Sequence, residues 1–300
     1  MTNAWLLLPD LMLIVVGLVL CRFTPLGRPI WDAAERLVYY LLFPTLLFNS
    51  ILKSPLDPQQ SLGLGLCGVA TVATGVVLAY ASKAWPGVDA RLHASAAQTA
   101  FRFNSFIALA LAERLQGPQG VAWMALLMAL CVPLCNVAAV WPLARHGGHA
   151  YGRELLRNPL ILATVGGLAA NLAGVRFPAP LDTTLQRIGV SALPLALMAV
   201  GAGLRFGGLR EAPAFAGALL AIRHVALPVV ALGLSWWLAL PAAQRTVLIA
   251  FAALPTASSA YVLAVRMGGN GAYVATIVTL STLLGMLSVP SWLAVLQAWP

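Results

Sequence analysis

Ten runs of apolar residues follow one another along this chain, each ended by a charge, a glycine or a proline. They lie near 4–21, 37–52, 62–82, 95–112, 120–143, 159–174, 188–204, 213–239, 246–265 and 271–297. Roughly 17–25 such residues carry a helix across the hydrocarbon core of a bilayer. In lipid the backbone must satisfy its own hydrogen bonds, so runs of this length are expected as helices. The second and seventh runs are short for a span. With 60% hydrophobic residues, 9% charged residues and a mean hydropathy of +0.87, the chain has too little polar surface to cover a soluble globule. The net charge of +9 does not point to nucleic acid, because the 18 basic residues stand singly among apolar runs and form no basic-aromatic stripe.

The first run carries no Lys or Arg ahead of it and has Leu20 rather than a small residue before Cys21, so it reads as an uncleaved span and not a signal peptide. Eleven Lys and Arg residues fall in the odd-numbered connections between runs and five in the even-numbered ones. The positive-inside rule then puts both termini outside and RHGGHAYGRELLRNP (145–159) in the cytoplasm. Arg102 and Arg223 fall inside runs and are outside that tally. Arg223 and His224 are expected at the cytoplasmic end of the eighth span, as anchors.

An internal repeat divides the chain. ALALAERLQG (108–117) and AYVLAVRMGG (260–269) share Ala, Leu, Ala, Arg and Gly at matching positions, an offset of 152, and Pro44 meets Pro194 at an offset of 150. Each half holds five spans. Five is odd, so the halves lie inverted in the membrane, an arrangement that lets two halves exchange roles in a transporter. The expected units are residues 1–144, a cytoplasmic linker at 145–158, and residues 159–300.

FAALPTASSAYVLAV (251–265) places Pro255 in the ninth run. The ring removes a donor and clashes with the preceding turn, so the span should break near Ala252–Pro255. Such a break is tolerated only against protein or a wet cavity. Thr256, Ser258 and Ser259 follow it with hydroxyls, beside a half-helix N-terminus whose partial charge suits an anion. At the repeat offset Pro255 and Thr256 fall on Phe103 and Asn104, in AFRFNSFIALA (100–110), where Arg102 and Ser105 flank the asparagine. Two polar interruptions in corresponding spans point to a midplane binding site.

LVYYLLFPTLLFNSI (37–51), FRFNSFIALALAERLQG (101–117), LLRNPLILATVGGLAANLAGVRFPAPL (155–181), ALPLALMAVGAGL (192–204) and ALPTASSAYVLAVRMGG (253–269) together resemble the auxin efflux carrier family in its compact prokaryotic form. That family is similar in fold to the bile acid:sodium symporters. The resemblance implies an all-α membrane protein of ten transmembrane helices in two inverted five-helix repeats, with broken, crossing helices in spans 4 and 9. It further implies a scaffold of spans 1, 2, 6 and 7, holding Pro44 and Pro194 and often dimerising, and a transport core of spans 3–5 and 8–10 that moves like an elevator. The implied cargo is a small organic anion such as a carboxylate, and the implied location a bacterial plasma membrane. Members often carry proline at the fourth-span break. Phe103 stands there in this chain, so a softer break held by Asn104 is expected.

Each polar residue has a second reading. Asn104 can bridge helices, Thr256, Ser258 and Ser259 can serve packing, and Arg102 can snorkel or pair in the core instead of gripping a carboxylate. The nine carboxylates, Asp10 excepted, fall in connections or at span ends, so no coupling carboxylate stands near the breaks. Facilitated or potential-driven anion movement is expected, with sodium or proton coupling left open because carbonyls and hydroxyls also bind sodium. No cofactor is expected. Cys21, Cys67, Cys131 and Cys135 lack metal-ligand spacing, and no HExxH, GxSxG or phosphate loop occurs. A sodium-coupled symporter of the bile acid type and a channel or sensor remain the alternatives to the carrier.

Overall fold

Proline sets the local geometry of several helices. The computed structural model describes residues 2–53, 58–144, 159–204, 212–257, 259–266 and 268–298, and all regular structure among them is helical. The helices are α1 (Thr2–Phe23), α2 (Arg28–Leu37), α3 (Phe43–Lys53), α4 (Pro58–Ala81), α5 (Ala90–Ala96), α6 (Ser105–Ala144) and α7 (Pro159–Leu172). After them come α8 (Ala179–Val190), α9 (Ala192–Ala202), α10 (Pro213–Ala221), α11 (Leu227–Trp237), α12 (Ala242–Ala252), α13 (Ser259–Arg266) and α14 (Gly271–Ala298). Among the described residues, five stretches are long and apolar enough to cross a membrane: Ser61–Ala84, Ala90–Ala139 (interrupted at 101–104), Ala179–Ala202, Pro213–Trp237 and Gly271–Ala298. The 145–158 linker lies outside the described residues.

A wide π-turn, Val38–Leu42, joins α2 to α3, and another, Ile222–Ala226, joins α10 to α11. Each ends two residues before a proline, Pro44 and Pro228. A helical proline donates no hydrogen bond and its ring presses on the carbonyl four residues back, here Tyr40 and His224. Widening the turn relieves that clash. The freed His224 carbonyl accepts instead from Trp292 Nε1 at 2.8 Å. Pro194 acts more bluntly, and the chain leaves the helix at Ser191 between α8 and α9.

The second and seventh helical stretches begin earlier than the apolar runs suggest, at Arg28 and Ala179. Arg28, Asp32, Glu35 and Arg36 in the one, and Asp182 and Arg187 in the other, dilute the hydropathy while leaving a helix-compatible pattern with Pro at the first turn. Arg28 bonds Asp32 at 2.8 Å and Glu35 at 3.0 Å.

The helices pack in two groups. In one, α1 lies along α9 and α3 along α7 and α8. Backbones touch where α1 and α9 cross: a methyl group on Gly17 would overlap the Met198 carbonyl, and one on Gly201 the Ile14 carbonyl. Small residues at such crossings gain close van der Waals contact. In the other group, α4 packs on α6, α11 and α12, α12 packs on α6, and α13 on α14. Contacts of α6 with α3 and α9, and of α1 with α14, join the groups. Val77, Leu172 and Leu287 are among the large apolar residues left exposed on the outside, as a lipid-facing surface requires.

The fourth and ninth runs do not form continuous helices. After α5 the chain tightens into a 3-10 turn, Ala97–Ala100, and residues 101–104 are non-helical before α6 begins. After α12, residues 253–257 are likewise non-helical, and α13 begins at Ser259. The first break is therefore as open as the second, against the expectation from Phe103: a 3-10 lead-in and a side-chain cap do there what the proline ring does at Pro255. α6 bends once more at Gly117, whose φ of +57° and ψ of −149° suit only glycine, with Pro118 restarting the helix.

Candidate functional site

The two breaks lie against each other. Asn104 N donates to the Pro255 carbonyl at 2.8 Å, and Thr256 Oγ1 donates to the Thr99 carbonyl at 2.7 Å. Each bond satisfies a backbone group that a broken helix leaves without a partner. Phe103 meets Phe251 edge-on, ring centroids 4.6 Å apart, so the non-helical residues are covered by aromatic rings. Gly285 on α14 admits Pro255, since a Cβ there would stand 3.2 Å from the ring.

Asn104, 3% exposed, caps the second part of the broken span: Oδ1 accepts from Phe106 N at 3.0 Å and Ile107 N at 3.2 Å. Its Nδ2 donates to no described residue. Arg102 Nη2 donates to Ser259 Oγ at 3.1 Å, bringing together a cation and a hydroxyl from different breaks. Arg102 and Ser105 are partly exposed, and Ser259 is exposed. Thr256 is wholly buried, and its own N–H donates to Ser281 Oγ at 2.9 Å. Ser258 lies outside the described residues. The structure thus gathers Arg102, Phe103, Asn104, Pro255, Thr256 and Ser259 into one place. Pro44 and Pro194 stand apart from it, in the group built on α1, α3, α7, α8 and α9.

Two residues expected to be interface anchors belong to this place instead. Arg223 and His224 are 1% and 6% exposed, inside the eighth stretch and not at its end. The π-turn before Pro228 aims them inward. Arg223 Nε donates to the Leu254 carbonyl at 2.5 Å and Nη2 to the Phe251 carbonyl at 3.1 Å, closing the frayed end of α12. The His224 ring spans Ser281 Oγ, 2.9 Å from Nε2, and Ser288 Oγ, 3.1 Å from Nδ1. Because Ser281 also accepts from Thr256 N–H, the ring ties α14 and the second break to the π-turn. This serine and histidine are sealed in the interior and spent on backbone geometry. The available signal was an Arg-His pair four residues before a proline within an otherwise apolar run. Ionisable residues in that setting are buried toward the protein far more often than they face lipid.

A cavity of about 40 Å³ lies beside Pro255, lined by Ile107, Leu111, Thr282 and Gly285 together with Ile14 of α1 and Leu197 of α9. It sits where the two helix groups meet. Among the described residues no cluster of His, Cys, Asp or Glu is arranged to hold a metal ion.

Comparison with known proteins finds membrane transporters. Over 293 residues the chain is 26% identical to an uncharacterized transporter of Methanothermobacter thermautotrophicus, covering 95% of this chain and 96% of that protein. Over 313 residues it is 24% identical to a Rhizobium meliloti protein named "Putative malonate transporter", covering 98% and 95% respectively. Residues 144–293, half of the chain, match the membrane transport protein family. The chain belongs to that family, the one that includes the auxin efflux carriers.

Proposed function

We propose that this membrane transporter carries a small organic anion, a mono- or dicarboxylate, through a site formed where its two broken helices meet. The observation that carries the reading is the direct bond between the breaks, Asn104 N to the Pro255 carbonyl. Around it stand the elements a carboxylate needs: the guanidinium of Arg102, the Ser259 hydroxyl, the Nδ2 donor of Asn104 and the N-terminal ends of two half-helices. The name of the Rhizobium relative favours the same cargo class.

In this reading the chain has ten spans in two inverted halves. Several features support it. The helix and 3-10 turn at 90–100 and the helix at 242–252 differ by 152 residues at both ends. The half-helix after each break ends near a left-handed glycine, Gly117 with φ +57° and Gly268 with φ +71°. The α1, α3, α7, α8 and α9 group is the scaffold, through which two copies pair. The group holding both breaks is the moving core. Sliding between the two groups, past the small cavity at Pro255, exposes the site to each side of a plasma membrane in turn.

Uptake of radiolabelled carboxylates, malonate and indole-3-acetate among them, into proteoliposomes tests the proposal. Saturable uptake of one acid, inhibited by its close analogues, is expected. Absence of uptake for every acid from folded protein would refute the anion reading. Currents that do not saturate would point to a channel instead.

A further inference from the structure

Arg223 is the largest wholly buried side chain among the described residues, and it makes no ion pair with a carboxylate there. A guanidinium stays charged at any accessible pH. Buried without compensation, such a charge is prohibitively costly. What faces it is the carbonyl end of α12: the Leu254 and Phe251 oxygens, at 2.5 and 3.1 Å. A helix C-terminus carries roughly half a negative charge, and at the break the Phe251 carbonyl keeps only a 3.3 Å turn bond from Leu254 N while the Leu254 carbonyl lies past the helix end. In transporters built on discontinuous helices, unwound carbonyls and half-helix C-termini are where a coupling cation binds.

We propose that Arg223 is a tethered cation occupying the coupling-ion position at the carbonyl end of α12, so that the carrier completes its cycle without sodium. The inference rests on the reading of the breaks as the transport site. The arginine is held in place by its own segment. The π-turn Ile222–Ala226 directs it inward, the neighbouring His224 ring is fixed between Ser281 and Ser288, and the His224 carbonyl is fixed by Trp292. A sodium ion at the same carbonyls would meet a positive charge within contact distance. The guanidinium therefore does permanently what an exchangeable ion does elsewhere: it neutralises the half-helix end and holds the break open.

The test compares wild type with Arg223→Ala in proteoliposomes and in detergent, with choline, sodium or low, non-denaturing guanidinium as the cation. Wild-type flux and melting temperature should be the same in sodium and choline. Without guanidinium or sodium, Arg223→Ala flux should fall about tenfold or more. Its melting temperature should drop by roughly 5 °C. Guanidinium, entering the vacated space, should restore both. Dependence of wild-type flux or melting on sodium overturns the inference. So does an Arg223→Ala protein that works and melts as wild type without added cation, or one that is folded yet answers to neither cation. If no acid is transported at all, the transport reading fails by itself, and the melting comparison still decides whether Arg223 fills a cation position.

Discussion

Thr256→Val removes one hydroxyl from the contact between the breaks and leaves the shape nearly unchanged. In the native protein that hydroxyl is wholly buried and donates to the Thr99 carbonyl at 2.7 Å. Interhelical hydrogen bonds within membranes average about 0.6 kcal/mol, whereas a buried carbonyl left without a donor costs up to about 3 kcal/mol. An intermediate value of about 1.5 kcal/mol lowers the melting temperature of a chain of this length by about 2–3 °C. The assay is thermal denaturation of the detergent-solubilised protein, with Thr256→Ser as the control that keeps the hydroxyl. Thr256→Ser should stay close to wild type while Thr256→Val falls. The Thr256 N–H still donates to Ser281, so the second break itself remains held and only its tie to the first is cut. A Thr256→Val protein that melts with wild type would refute the claim that this bond joins the breaks.

Other positions give equally definite expectations. Gly201→Val places a side chain against the Ile14 carbonyl and should cost about 1–3 kcal/mol by forcing α1 and α9 apart, read as a loss of thermal stability that Gly217→Val, which meets no neighbour, does not show. The positive-inside reading, which puts both termini outside, predicts that a unique cysteine placed in the 145–158 connection reacts with an impermeant maleimide only after right-side-out vesicles are opened.

The membrane class and the helical content were legible in the apolar runs because a bilayer leaves backbone few options. The helix starts at Arg28 and Ala179 were not, since charges at a membrane edge mask a helix that proline at its first turn initiates. That the segments around Asn104 and Pro255 belong together could be expected from the offset of 152, which lays Phe103 on Pro255 and Asn104 on Thr256. The depth of the first break could not. Phe103 lacks a proline's signature, and the cap supplied by Asn104 Oδ1 and the 3-10 turn before it are tertiary outcomes. The placement of Arg223 is hidden for a related reason. The run at 213–239 is longer than one span needs, so a cation in its middle reads as an interface anchor, with the span starting late, until the π-turn before Pro228 shows which way it points.

The most direct test of the joined breaks as the transport site is the flux of Asn104→Ser set against its stability. Serine caps a helix about as well as asparagine, so the cap to Phe106 and Ile107 is kept while the Nδ2 donor is lost. A protein that melts near wild type and whose saturable carboxylate uptake is severely reduced is expected. Wild-type uptake by a stable Asn104→Ser protein would contradict the joined breaks as the transport site.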